Sequence, residues 1–266
     1  TEARTVVVSQ VSVAYITSLN EFGEMNKESY NFKWVYNVKS RDWIKKDFVS
    51  TEYYKFEEKA LIKIRNAVIN SVRRRLDADR PIAFLLSGGV DSSLVAAIGQ
   101  KILGVPIKTF CCGMEGGTDL KYAKMVAEHI GSHHSEVFFT AEDGVNALED
   151  VIYATETWDT TTVRASVGQY MVCKHIGTKT DCKVVLVGEG PDEVCSSYLF
   201  NWYAPCAYVL DMAAREYVRN IHLFDSRRGD RCISYWGLEG RVPLLDPEVI
   251  EAYWELPTAF RHPKYK

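Results

Sequence analysis

Three groups of residues in this chain could do chemistry on a phosphate. The first is Ser87-Gly88-Gly89-Val90-Asp91-Ser92-Ser93. Two adjacent glycines let backbone N–H groups approach an anion with no Cβ in the way, and Ser87, Ser92 and Ser93 add hydroxyl donors. Asp91 is the odd member. A carboxylate repels phosphate unless a divalent cation lies between them, so the loop reads as a site for phosphate plus Mg2+. The second group is Gly188-Glu189-Gly190-Pro191-Asp192-Glu193, in which glycines flank one acid and Pro191 suits the first turn of a helix carrying the next. Alone, this run reads equally as an acidic helix N-terminus and as a site; its pairing with the serine loop decides for the site. The third is Asp159-Thr160-Thr161-Thr162-Val163-Arg164-Ala165-Ser166. A threonine run before a helix suits an N-cap, while Arg164 has the planar fork that grips phosphate or carboxylate through two bonds.

These groups need elements to hold them. The apolar run Ile82–Leu86 predicts a buried strand and Ser92–Leu103 a helix, so the serine loop opens at a helix N-terminus whose dipole favours an anion. The loop has neither the Gly-Lys-Ser/Thr of a Walker loop nor G-x-G-x-x-G spacing. Strands are expected at Ile107–Cys112, Ser135–Phe139 and Lys183–Val187. Helices are expected from an N-cap at Thr118 to Ile130, from Glu142 to Glu156 and from Ala165 to Ile176. Upstream, Leu61, Ile64, Val68 and Val72 share one face of a helix starting near Tyr54, and Arg73-Arg74-Arg75 at its end is read as dipole capping and solvation. Thr5–Ile16 and Phe32–Val38 look like strands, and the chain past Asp192 looks helical. Alternating strands and helices predict an α/β fold: a parallel five-stranded sheet with helices on both faces, a helical C-terminal part and a small N-terminal β remnant. Right-handed crossovers then bring the strand C-terminal ends to one edge, where ligands bind.

Composition narrows the classes. With 266 residues, 47% of them hydrophobic and 25% charged, the chain can bury one substantial core. A formal net charge of −3 gives no basis for nucleic-acid binding, and no apolar run is long enough for a membrane span. Seven cysteines without a C-x-x-C pair point to reduced thiols in a cytoplasmic protein rather than to zinc or a redox dithiol. His129, His133 and His134 lack the spaced partners of metal ligands and are read as structural or solvated.

The strand followed by Ser-Gly-Gly-x-Asp-Ser-Ser resembles the pyrophosphate loop of the ATP pyrophosphatases. With Glu156–Ser166, Gly188–Glu193 and Trp236-Gly237-Leu238-Glu239-Gly240-Arg241-Val242-Pro243-Leu244-Leu245-Asp246 in the same order, residues 54–265 resemble the synthetase domain of the glutamine-dependent asparagine synthetase family. The resemblance implies an adenine nucleotide α-hydrolase-like fold and an ATP- and Mg2+-dependent ligase that adenylates the aspartate β-carboxylate, releases pyrophosphate and admits ammonia. It implies that Ser87, Gly88, Gly89, Asp91, Ser92 and Ser93 hold pyrophosphate, with Asp91 and Asp192 on Mg2+. Leu86, Cys112, Val187 and Gly188 would line the adenosine pocket. Glu189, Arg164 and Asp192 would serve catalysis, and Thr161, Thr162 and Arg164 would contact substrate. Arg241 and Asp246 are expected to be structural, through an Arg–carboxylate tie near the site floor.

This chain has Cys195-Ser196-Ser197-Tyr198 where the family has a Gly-containing run, and Pro191 where Ser is usual. Residues 1–53 are read as the remnant of a glutaminase-like β region, and residues 54–266 as an ATP-dependent synthetase domain expected to be C-terminally incomplete. The chain begins Thr1-Glu2-Ala3, has no Cys before Cys111 and gives only some fifty residues to that region, so the expected nitrogen source is ammonia, supplied as such or derived from glutamine by a missing domain. The expected assembly leaves a homodimer open. Two other readings stand beside this one: a related amide or β-lactam synthetase with another carboxylate substrate, and a non-catalytic nucleotide-binding or assembly protein.

Overall fold

The computed structural model describes residues 34–37, 42–45, 51–114 and 116–262. The strand expected at Thr5–Ile16 lies outside them. The chain divides into two compact units, residues 1–63 and 64–266. In the first, β1 (Trp34–Asn37) pairs antiparallel with β2 (Asp42–Lys45). Helix α1 (Thr51–Arg75) begins there and ends in the second unit.

The second unit is an α/β sheet domain. Its strands are β3 (Ile82–Leu85), β4 (Lys108–Gly113), β5 (His133–Phe138), β6 (Val184–Leu186) and β7 (Glu239–Arg241). They lie in the order β5-β4-β3-β6-β7, and every pairing is parallel. The chain winds outward from β3 through β4 to β5, then returns to the other side of β3 for β6. The strand order therefore reverses between β3 and β6, which opens a crevice at their C-terminal ends.

Burial on both faces explains the apolar strands. Phe84, Leu86, Cys111, Val184 and Leu186 face one core, completed by Ala67, Val68 and Val72 of α1, by α2 (Val90–Leu103) and by α3 (Thr118–Ile130). The alternate residues Ala83, Phe110, Val185 and Val187 face a second core with Val172, Cys173 and Ile176 of α6 (Thr160–Lys179) and Ile233 of α9 (Asp225–Ser234). The remaining helices are α4 (Ala141–Asn146), α5 (Leu148–Thr155), α7 (Pro191–Cys195), α8 (Ala207–Asn220), α10 (Pro247–Trp254) and α11 (Thr258–Arg261). Among the described residues no helix is long and apolar enough to cross a membrane. Among the described residues no two cysteines form a disulfide.

Several local expectations change. The helix foreseen from Glu142 to Glu156 is two, α4 and α5, and Glu156 ends the second in the left-handed region at φ 50°. Thr118 is not a cap: Gly117 takes the N-cap position and Thr118 is the first helical residue. The threonine run is likewise inside α6, whose cap is Asp159; its carboxylate accepts the Thr162 N–H at 2.8 Å and the Thr162 hydroxyl at 2.8 Å. A carboxylate satisfies two donors at once and holds the dipole's positive end, so it outcompetes the threonines. The fifth strand, β7, falls in a region expected to be helical.

Arg74 and Arg75 are more than solvated charges. Both bond Asp246, whose side chain is 8% exposed, and Arg74 also reaches Glu248. Arg241 does not pair with Asp246: it bonds Glu239 at 2.7 Å and donates to the carbonyls of Arg75 and Asp77. The two residues are structural, but through separate ties, each joining the end of α1 to the chain around β7 and α10. His134 is structural as well, its Nδ1 lying 2.9 Å from the Thr109 hydroxyl, while His133 is exposed.

Candidate active site

The crevice between the ends of β3 and β6 opens into a cavity of about 450 Å3, within the range of small-molecule sites. Leu86, Ser87, Gly89, Asp91 and Ser92 line it together with Cys112, Val187, Gly188 and Glu189. Helix α6 supplies Ala165, Gly168, Gln169 and Val172, a single helical face at i, i+3, i+4 and i+7. The lining is more apolar than polar.

The serine loop is shaped by close packing. Gly88 adopts φ +82°, and a Cβ there would come within 2.5 Å of the Tyr122 backbone. Only glycine lets the loop lie against α3. Gly188 is tight for another reason: its Cβ would sit 2.6 Å from the Ser92 nitrogen, so the turn after β6 rests directly on the start of α2. That helix start has Gly89 as N-cap and no side-chain cap, which leaves its first N–H groups and dipole for a ligand. Ser87 and Ser92 hydroxyls lie 3.0 Å apart, and the Gly89 N–H donates to the Ser87 oxygen. The Ser93 hydroxyl is buried with no partner among the described residues.

Two acids flank this loop. Burial, and then the negative charge of Asp192, push the Asp91 carboxyl above its usual range. The two carboxylates are therefore close enough to repel, and a cation between them would relieve that cost. Among the described residues no group of three or more His, Cys, Asp or Glu could hold a metal unaided. Two carboxylates completed by phosphate oxygens and water suit Mg2+, so the donor set fits that ion. Asp192 stands outside the cavity lining, at the start of α7, where Ser197 donates its hydroxyl to the carboxylate. The chain bends back to make this bond through Ser196 at φ 56°, a left-handed conformation that favours glycine.

Glu189 is mostly buried, with 19% of its side chain exposed. Its Oε1 accepts from Gln169 at 3.2 Å and lies 3.6 Å from an Arg228 nitrogen, while Oε2 is buried without a partner among the described residues. Burial pushes this carboxyl up, and the Arg228 guanidinium opposes the rise.

The cavity does not gather every expected residue. Gly88 and Ser93 support the loop from behind. Thr161 lies one turn before Ala165 on the cavity-lining face of α6, Thr162 is engaged with the cap, and Arg164 is exposed; none of the three lines the cavity. Conversely, Gln169, Arg228, Asp119 and Phe139 line it and were not foreseen. Gln169 sits four residues after Ala165, so a helical projection of the third motif could have found it. Arg228 had no such signal.

The asparagine synthase family profile matches residues 63–215 and 210–264. The chain belongs to the asparagine synthase family. It is 46% identical over 206 residues to the glutamine-hydrolyzing asparagine synthetase of Gallus gallus, covering 76% of this chain and 37% of that protein. The Homo sapiens enzyme of the same name is 46% identical over 200 residues, 73% of this chain and 36% of that protein. The chain thus spans a little over a third of the length of these asparagine synthase relatives.

Proposed function

We propose that this chain is an ATP-dependent, AMP-forming ligase that makes asparagine from aspartate and ammonia. The observation that carries the reading is one cavity at the strand-order reversal lined both by the serine loop, at an uncapped helix start, and by the buried acid Glu189. In this reading the adenosine lies along Leu86, Cys112, Val187 and Gly188. Ser87, Gly89, Ser92 and the first N–H groups of α2 hold the departing pyrophosphate. Asp91 and Asp192 would hold Mg2+, which when bound neutralises charge building on the leaving phosphates. Donors already in place need no reorganisation as that charge develops, which is where such sites gain most.

The β-carboxylate oxygen of aspartate attacks the α-phosphorus, pyrophosphate leaves, and ammonia then displaces AMP from the acyl carbon. Attack by neutral ammonia leaves a positively charged nitrogen that must lose a proton. Glu189 takes this proton; its raised pKa sets it nearer the working pH than an ordinary carboxylate. Thr161 and Arg164, at the start of α6 outside the cavity lining, would contact only a part of the amino acid that projects from the cavity. Isotope exchange between labelled pyrophosphate and ATP tests the reading: exchange that requires aspartate supports it. Exchange driven better by another carboxylic acid would move the substrate, and none at all with any acid would leave only nucleotide binding.

A further inference from the structure

Arg228 lies on α9, in the run Asp225-Ser226-Arg227-Arg228-Gly229-Asp230-Arg231, which by composition is a solvated helix. The fold turns this residue inward, and 18% of its side chain remains exposed. Each of its three nitrogens already donates one hydrogen bond. Nε and Nη2 bond Asp225 Oδ1 at 3.2 and 2.9 Å, Nη1 bonds Gln169 Oε1 at 3.3 Å, and Nη2 lies 3.6 Å from Glu189 Oε1. Gln169 closes the ring by donating its amide to the same Glu189 oxygen at 3.2 Å. A guanidinium held in this way on two sides is well placed to fix a neighbour.

We propose that Arg228 is a positioning residue, which together with Gln169 holds Glu189 by Oε1 and supplies its buried countercharge. This inference rests on the proposed role of Glu189 and deepens it. The ring joins three elements: α9 through Asp225 and Arg228, α6 through Gln169, and the turn after β6 through Glu189. Gly229, next to Arg228, leaves room for the carboxylate, since a Cβ there would come within 2.4 Å of Oε2. The other groups facing Glu189 are Asp225 and Glu193, whose negative charges oppose its ionisation, and the buried thiols Cys173 and Cys232. Arg228 is the positive charge set against them.

The test is a titration that needs no turnover. Glutamate labelled with 13C at Cδ gives a resonance for Glu189 that Glu189→Gln removes, and its midpoint is read by NMR against pH. A cation at this range typically lowers a carboxyl by about one to three units, so Arg228→Met should raise the midpoint by roughly one unit or more. In steady-state assays the same variant should lose about tenfold or more in kcat with the KM for ATP within about threefold. Arg228→Lys keeps the charge and loses the fork, so its midpoint should stay near that of the parent while kcat falls by less. If Arg228→Met melts below the assay temperature, Arg228→Lys decides alone: a kcat equal to the parent's overturns the proposal. An unmoved midpoint in a folded Arg228→Met overturns it too. A parent that exchanges no pyrophosphate, yet shows the midpoint shift, overturns the proposed function and leaves the positioning intact.

Discussion

Gly88 and Gly89 are neighbours of the same type, yet the fold asks different things of them. Alanine at 88 must adopt φ +82°, a left-handed conformation that costs an L-residue about 1–2 kcal/mol. Its Cβ also lands 2.5–2.6 Å from the backbone of Tyr122 and Ala123, which cannot swing aside as a flexible side chain could. Overpacking of this kind typically costs a further 1–3 kcal/mol. The sum is about 2–5 kcal/mol, or roughly 5–15 °C in Tm for a domain of this size. Alanine at 89 meets neither obstacle. Gly89 has φ −69° and ψ 161°, and the nearest atom to its Cβ is the Ser87 hydroxyl at 3.4 Å. That Cβ projects where a phosphate would lie, beside the uncapped start of α2. Gly89→Ala should therefore hold the parent Tm within about 2 °C, since compatible Gly→Ala changes are neutral or mildly stabilising, and bind ATP poorly. Calorimetric melting without ligand, paired with ATP titration in Mg2+, reads both quantities. A Gly88→Ala protein that melts with the parent, or a Gly89→Ala protein as destabilised as Gly88→Ala, would refute the reasoning.

Three further outcomes are expected. Glu189→Gln should keep ATP affinity and lose turnover by roughly a hundredfold, as removal of a proton-transfer group does, measured by asparagine release with ammonium salts. Because the folded-state pKa of Glu189 is raised, the parent loses stability as pH rises from the unfolded pKa through the folded one. The Tm of Glu189→Gln should accordingly gain on the parent as pH rises above the ordinary glutamate range in scanning calorimetry. Asp246 behaves in the opposite sense: burial pushes its carboxyl up, but hydrogen bonds from Arg74, the Glu248 N–H and Arg75 outweigh this and hold it below its usual value. Its contribution is present above the unfolded pKa and fades as pH falls through the folded one. Asp246→Ala removes these bonds and the cap of α10 and should cost about 2–4 kcal/mol in urea unfolding at pH 7, with a smaller gap at pH 3.

What could be read in the residues, and what could not, has a physical pattern. The serine loop was legible because a buried strand must be apolar and a helix start beside an anion must be small and polar, and both conditions fall on consecutive residues from Ala83 to Ser93. The acid at 189 was legible through its flanking glycines. Strand β7 was not, because Glu239-Gly240-Arg241 is short, polar and at the sheet edge, so it carries no apolar alternation. The interruption between α4 and α5 was hidden for a related reason: residues 142–156 keep one helical character throughout, and only Ala147 breaks the register. Arg228 and Gln169 were invisible because a charged or amide side chain on a helix faces water by default. Only the packing of α9 against α6 turns them toward Glu189. The Asp246 pairs join residues more than 170 positions apart, a separation at which sequence pattern carries no signal.

The central claim is that ATP bound in this cavity is cut between its α- and β-phosphates. Phosphorus NMR of the protein with ATP, Mg2+, aspartate and ammonium salts reads the products directly. The account predicts AMP and pyrophosphate in equal amounts, matched by asparagine and absent when Mg2+ is removed. ADP and orthophosphate in their place would contradict it.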